Sequence, residues 1–144
     1  GWRVTVLLAE GEPKTPDAIT NYVRLEGLQI ALCRDAADLE PQHFRVVADA
    51  LYGTGFHGSL RPAGRAACAL IHCAHEAGAF VLALDLPSGI ATDTGEVAEG
   101  AVSADLTVTF DSYKPLHAAK NSAVYCGEIV CADIGIRCLD DAGA

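Results

Sequence analysis

The chain has 144 residues, 51% of them hydrophobic, which is enough for one substantial core and too little for two ordinary domains. Ten basic against 19 acidic residues leave a net charge of -9, and with no basic cluster to offset it the chain is a poor partner for nucleic acid or an anionic membrane. An anionic small molecule would have to be held by backbone amides, a bound cation or a few aimed side chains.

The chain opens with Gly1-Trp2-Arg3, contains no Met, and enters a strand-like run at Val4 to Leu8, as though cut from something longer. That run is nearly continuous in β-branched and aliphatic residues, as expected of a parallel strand covered on both faces. Thr15-Pro16-Asp17 then supplies an N-cap, a first-turn proline and an early acid; Ile19, Tyr22, Val23 and Glu26 follow at helical spacing, and Gly27 ends the helix. Leu28 to Cys33 reads as a second strand and Phe44 to Leu51 as a third, with Asp49 near its carboxyl end.

From Pro62 to Ala77, the residues Ala63, Ala66, Ala67, Leu70, Cys73, Ala74 and Ala77 recur every three or four positions, a helix with this stripe as its core face and Gly78 as its stop. Ala79 to Asp85 is a strand that runs into Leu86-Pro87-Ser88-Gly89. After a polar loop to Ala104 come strands at Leu106 to Phe110 and Glu128 to Ile134, separated by an irregular segment. Alternating strands and helices with short connections predict an α/β, three-layer Rossmann-like fold: a mostly parallel sheet with helices on both faces. The six cysteines sit mainly in apolar runs, form no CxxC pair, and read as small hydrophobes of a reducing, cytoplasmic environment. The apolar stretches are strand-sized, and nothing resembles a membrane span or leader.

Ligands of open α/β sheets bind beyond the carboxyl ends of the strands. Two such ends stand out. Asp49 leads through Leu51 and Tyr52 into Gly53-Thr54-Gly55-Phe56-His57-Gly58-Ser59, whose glycines permit positive φ and let amides approach a phosphate beside a helix N-terminus. Asp85 and Ser88 stand at the next strand's mouth. The two acids and the loop are expected to converge on one hollow. Gly53-x-Gly55-x-x-Gly58 also satisfies the GxGxxG pattern of an NAD-binding dehydrogenase, with Asp85 as its ribose acid, although Asp85 lies late for that role.

The segments Val47 to Phe56, Ala83 to Ile90, Ala104 to Phe110 with Lys114-Pro115, and Gly127 to Val130 with Asp133-Ile134-Gly135-Ile136 together resemble the successive motifs of the YjeF N-terminal domain, the NAD(P)H-hydrate epimerase family. The resemblance covers nearly the whole chain. It implies epimerisation of the R- and S-forms of NADH or NADPH hydrated at C6 of the nicotinamide ring. It also implies a potassium ion on Asp49 and Ser88, substrate phosphates on Gly53, Thr54, Gly55, Phe56, His57, Gly58 and Ser59, and Asp85 at the reacting ring. Family members carry an Asn-Asn-Gly-Gly-Asp-Gly type loop ahead of the first strand; on this reading residues 1–137 are an epimerase domain incomplete at its N-terminus, and 138–144 a linker or domain edge. A fused C-terminal ADP- or ATP-dependent dehydratase domain and a homo-oligomer are further implied partners, and a non-catalytic nucleotide-binding or scaffold module of the same fold is the alternative.

Inversion at C6 can proceed if an acid protonates the departing hydroxyl, the ring nitrogen stabilises the cation and water returns on the other face. Asp85 is the expected general acid and base, tuned by burial and by the nearby cation, with plain hydrogen bonding to sugar or amide as its lesser role. Lys114 reads as a solvated loop lysine, with phosphate binding as its alternative. Cys68, His72 and His75 share one helical stripe but read as a solvent-facing side rather than a metal site. His57 is a second phosphate contact, while His43 and His117 acquire no role.

Overall fold

A computed structural model describes residues 1–120 and 122–136. The expected linker 138–144, with Cys138, and the last position of the expected domain, Arg137, lie outside them. The chain runs β1 (Val4–Leu7), α1 (Pro16–Val23), β2 (Ile30–Cys33), β3 (Val46–Asp49), α2 (Pro62–Glu76), β4 (Phe80–Leu84), β5 (Leu106–Phe110), α3 (Ser122–Cys126) and β6 (Glu128–Ala132). Single 3-10 turns at Ala36–Asp38, Pro41–His43 and Pro115–Ala118 complete it. The α/β reading holds, and every paired strand is parallel. The pairing forms two sheets, β1-β2 and β3-β4-β5-β6, where a single sheet was expected. A hollow of about 1170 Å³ opens at the amino ends of β1, β2 and β3, between Val4, Ala31 and Val46.

Each long element starts where its local chemistry says it should. The Thr15 hydroxyl accepts from the Ala18 N–H at 3.4 Å to cap α1, and Pro16 and Pro62 occupy first-turn positions in their helices, where a missing N–H costs nothing. β3 and β4 are shorter than their apolar runs because the last residues of each, Leu51 and Asp85 among them, turn away into the loops that carry the site.

The four-stranded sheet has two unlike faces. Val47, Asp49, Val81, Ala83, Thr107 and Thr109 alternate onto one face and are buried or half-buried, and of these Val47, Val81 and Ala83 join Cys68 and Ile71 of α2 in the main core. Each large aliphatic so buried contributes about 1.5–3 kcal/mol. Val46, Phe80 and Val130 point the other way and stay 43–46% exposed.

The helical phase of α2 corrects the sequence reading by one position. Its buried residues are Gly64, Ala67, Cys68, Ile71 and Ala74, whereas Ala63, Ala66, Cys73 and Ala77 are exposed. Alanines mark a face weakly, because they gain little by burial; the one β-branched residue, Ile71, decides it. Cys68 is therefore core, its thiol pushed up to about 12 by burial and then by the Asp49 charge. His72 meets the Ala101 carbonyl at 3.0 Å and His75 the Asp105 carboxylate at 3.1 Å, so the expected solvent stripe instead ties α2 to the approach to β5. Among the cysteines, Cys68 and Cys126 are buried as expected, Cys33 and Cys131 are half-buried and Cys73 is exposed; all five are free.

Candidate active site at the carboxyl ends of β3 and β4

Parallel pairing in register, with Asp49 opposite Ala83, brings the ends of β3 and β4 side by side. Asp49 is 1% exposed and Ser88 fully buried. The Asp49 Oδ2 accepts from the Ser88 N–H at 2.7 Å, and Oδ1 accepts from the Ser88 hydroxyl at 2.6 Å and the Leu51 N–H at 3.3 Å. The same hydroxyl oxygen accepts from the Tyr52 N–H at 3.0 Å. These bonds sew the loop after β3 to the loop after β4.

A carboxylate out of water is costly unless a cation accompanies it. Among the described residues no cationic side chain forms an ion pair with Asp49. Burial pushes its carboxyl above the ordinary value, against the opposing hydrogen bonds from Ser88 and Leu51. The described residues gather no group of three or more His, Cys, Asp or Glu able to hold a metal ion. Any cation here would rest on one carboxylate and neutral oxygens, a donor set that suits a hard ion of low charge.

Asp85 lies just beyond β4 with φ +69, a left-handed conformation that non-glycine residues seldom adopt and Asp tolerates better than most. Gly89 follows at φ +94, where a Cβ would sit 2.8 Å from the Ala101 backbone, so this loop accepts only glycine there. The turn aims Asp85 toward β5. Its Oδ1 accepts from Lys114 Nζ at 2.7 Å and from the Thr109 hydroxyl at 2.9 Å. Lys114 spends its other donors on Thr109 Oγ1 at 2.9 Å and the Phe110 carbonyl at 2.7 Å. The pair is largely enclosed, with side chains 18% and 21% exposed. Among the described residues Asp85 Oδ2 takes part in none of these bonds.

Partial burial pushes the Asp85 carboxyl up, but the hydrogen bonds from Lys114 and Thr109 and the Lys114 charge outweigh it and hold the group below the ordinary carboxylate value. This corrects the expectation for Lys114. Lys114 is a partner of the acid and not a solvated loop lysine, and its ammonium favours the ionised form of Asp85. His117 also acquires a role: its Nδ1 accepts from the Lys114 N–H at 3.0 Å, which leaves Nε2 as the donor to the Asp85 carbonyl at 3.1 Å. Burial, ahead of the opposing bond to Asp85, lowers its proton affinity and keeps it in that neutral form. His43 remains at the surface beside Glu40.

The glycine loop encloses its own cavity of about 380 Å³, lined by Gly53, Gly55, Phe56, His57, Ser59 and Arg61 among others. Gly58 takes φ +79, while Gly53 and Gly55 do not adopt positive φ, so only one of the three glycines is used as expected. Phe56 is buried against Tyr52 with ring centroids 5.2 Å apart, and the Thr54 carbonyl accepts from the Thr92 hydroxyl at 3.3 Å. Neither Asp49 nor Asp85 lines this cavity. The structure thus assembles Asp49 with Ser88, Asp85 with Lys114, and the loop with Arg61.

Arg61 escaped the sequence reading, though it ends the glycine loop directly before Pro62. It is ion-paired to Glu10 at 2.7 Å, and Glu10 also accepts from the Tyr52 hydroxyl. The larger hollow by β1 lies at the amino ends of the strands, the wrong end for a ligand in a parallel sheet.

A family model described as "YjeF-related protein N-terminus" matches residues 1–116. Similar proteins include the bifunctional NAD(P)H-hydrate repair enzyme Nnr of Methanothermobacter thermautotrophicus, 43% identical over 110 residues, which are 76% of this chain and 20% of that protein. The protein of the same name from Archaeoglobus fulgidus is 39% identical over 142 residues, 94% of this chain and 27% of its own length. That from Coxiella burnetii is 42% identical over 100 residues, 67% of this chain and 20% of its length. The chain thus spans about a fifth to a quarter of these relatives.

Proposed function

The chain belongs to the family of YjeF-related protein N-termini, and on that footing we propose that it epimerises hydrated NADH or NADPH, the isomerase half of a nicotinamide-nucleotide repair enzyme. The observation that carries the reading is Asp85: a carboxylate at a strand mouth, in a left-handed backbone conformation, with one oxygen anchored by Lys114. A reaction at a ring carbon bearing hydroxyl and nitrogen needs such a group and little else.

The other assignments follow the same geometry. Gly53 to Ser59, with Arg61 and the start of α2, offer amides and one cation to the substrate's phosphates. Asp49 and Ser88 are the residues that would hold a potassium ion, whose charge would offset both the buried carboxylate and the anionic ligand in a chain of net charge -9. The substrate is a small molecule, and a second, dehydratase domain in the same polypeptide accords with the bifunctional names and greater length of the relatives. No helix among the described residues is long and apolar enough to cross a membrane.

The test is R-to-S conversion by the full-length polypeptide and its Asp85→Asn variant. The variant should lose on the order of 10²–10⁴ in turnover, the usual worth of a positioned acid–base group. Turnover equal to the parent's would remove Asp85 from the chemistry.

A further inference from the structure

Two routes can invert a carbon that carries both a hydroxyl and a ring nitrogen. In one, an acid protonates the hydroxyl, water leaves, and another water adds to the opposite face. In the other, a base takes the hydroxyl proton, the carbon becomes an aldehyde as its bond to nitrogen breaks, and the opened ring turns and closes on the other face. They make opposite demands on the enzyme: the first needs a protonated group at the start, the second an ionised one.

Given the epimerase reading, on which this rests, we infer that Asp85 inverts its substrate by opening and reclosing the ring, acting first as a base through Oδ2 while Lys114 holds Oδ1. The geometry separates the two carboxylate oxygens by function. Oδ1 receives the Lys114 ammonium at 2.7 Å and the Thr109 hydroxyl at 2.9 Å. Among the described residues Oδ2 accepts none of these bonds. A carboxylate gripped on one oxygen by an ammonium is kept ionised and pointed, and its free oxygen is the basic one.

Lys114 is itself a poor proton donor in this setting, because all three of its N–H groups are committed, to Asp85, Thr109 Oγ1 and the Phe110 carbonyl. Its role is to position and to keep charge. The Lys114 N–H in turn braces His117, whose Nε2 donates to the Asp85 carbonyl at 3.1 Å, so the backbone beneath the acid is held as well.

The step balances with one proton. Asp85 Oδ2 takes it from the C6 hydroxyl; the O–H electron pair becomes the carbonyl π bond; the C6–N1 pair moves onto nitrogen, where the adjoining double bond and carboxamide delocalise it; and the same carboxyl hands its proton to N1. Rotation about the C5–C6 bond presents the other aldehyde face. Nitrogen attacks, its proton returns to Asp85, and Asp85 gives it to the new alkoxide. No acid, water or further reactant is consumed.

The fate of the oxygen tests this. R-epimer is converted by the full-length polypeptide in oxygen-18 water, and the S-epimer formed is weighed by mass spectrometry against an enzyme-free control. Ring opening predicts that the inverted product keeps its original oxygen, with label no higher than in the control. Loss and return of water predicts label in every inverted molecule, and that result overturns the inference while leaving the epimerase reading intact. Failure to accelerate inversion at all removes the reading and the inference together.

Lys114 gives a second readout. In Lys114→Met the acid limb of the turnover–pH profile should move to higher pH, because the unpaired carboxylate protonates more readily, with KM changed far less than kcat. Lys114→Arg, which keeps the charge, should return the limb toward its original position. A limb that stays put in Lys114→Met, in protein shown to be folded, would mean that the lysine is only structural and that Asp85 does not begin as a base.

Discussion

Removing one hydroxyl should loosen the site more than any surface change. In Ser88→Ala the Asp49 carboxylate loses the 2.6 Å bond from the hydroxyl, and the Tyr52 N–H loses its acceptor at 3.0 Å. A hydrogen bond to a charged group is worth about 1.5–3 kcal/mol, and a neutral N–H left without a partner costs about 1 kcal/mol more. The Ser88 N–H still serves Asp49 Oδ2 at 2.7 Å, so the carboxylate is not wholly abandoned. The expected loss is about 2–4 kcal/mol, or a fall of about 6–12 °C in Tm for a domain of this size. Urea denaturation followed by far-UV circular dichroism measures it: the midpoint should drop with the slope unchanged. A loss under about 0.5 kcal/mol would refute the view that the loops after β3 and β4 are joined through this hydroxyl.

Four further outcomes are expected. Asp85→Asn should cost stability at neutral pH, and because the folded-state value of this carboxyl is lowered, the deficit relative to the parent should be full above the ordinary carboxylate value and vanish as pH falls through the lowered one; a deficit that persists in acid would deny the pairing with Lys114. Replacing potassium by tetramethylammonium at constant ionic strength should lower the Tm of the parent but not of Asp49→Asn, a difference that thermal melts resolve directly. Gly89→Ala should destabilise by about 2 kcal/mol or more, since it adds left-handed strain to a Cβ 2.8 Å from the Ala101 backbone, and a chemical melt equal to the parent's would contradict the loop geometry. Under native conditions a thiol reagent should label Cys73 promptly and leave Cys68 and Cys126 untouched until unfolding, which peptide mass mapping can read.

What could be read in advance divides along physical lines. The six strands and the helices α1 and α2 were legible because β-branched runs, the Thr15-Pro16 start and the three- and four-residue recurrence after Pro62 are local signals, whereas α3 lies in the segment read as irregular. The third strand was overestimated at its end, since its apolar run continues past Asp49 to Leu51, which is half-buried in the following loop. The phase of α2 was missed because alanine and cysteine discriminate faces poorly, and one Ile outweighs several of them. Asp49 and Ser88 were flagged from their place after strands, but the bond between them spans 39 residues and no local pattern contains it. The pairing of Lys114 with Asp85, 29 positions apart, was hidden for the same reason: a lysine in a polar loop looks alike whether it meets water or a carboxylate. Only Arg61 left a usable trace, its position where a glycine loop meets a helix start.

The seam formed by Asp49, Ser88 and Tyr52 also limits how the crevice can breathe. With the roots of both loops buttoned together below the surface, neither strand end can swing outward alone, and a visiting nucleotide would meet a stiff floor. Whatever yielding its entry demands falls to the exposed residues His57 to Ser59, beyond the buried Phe56.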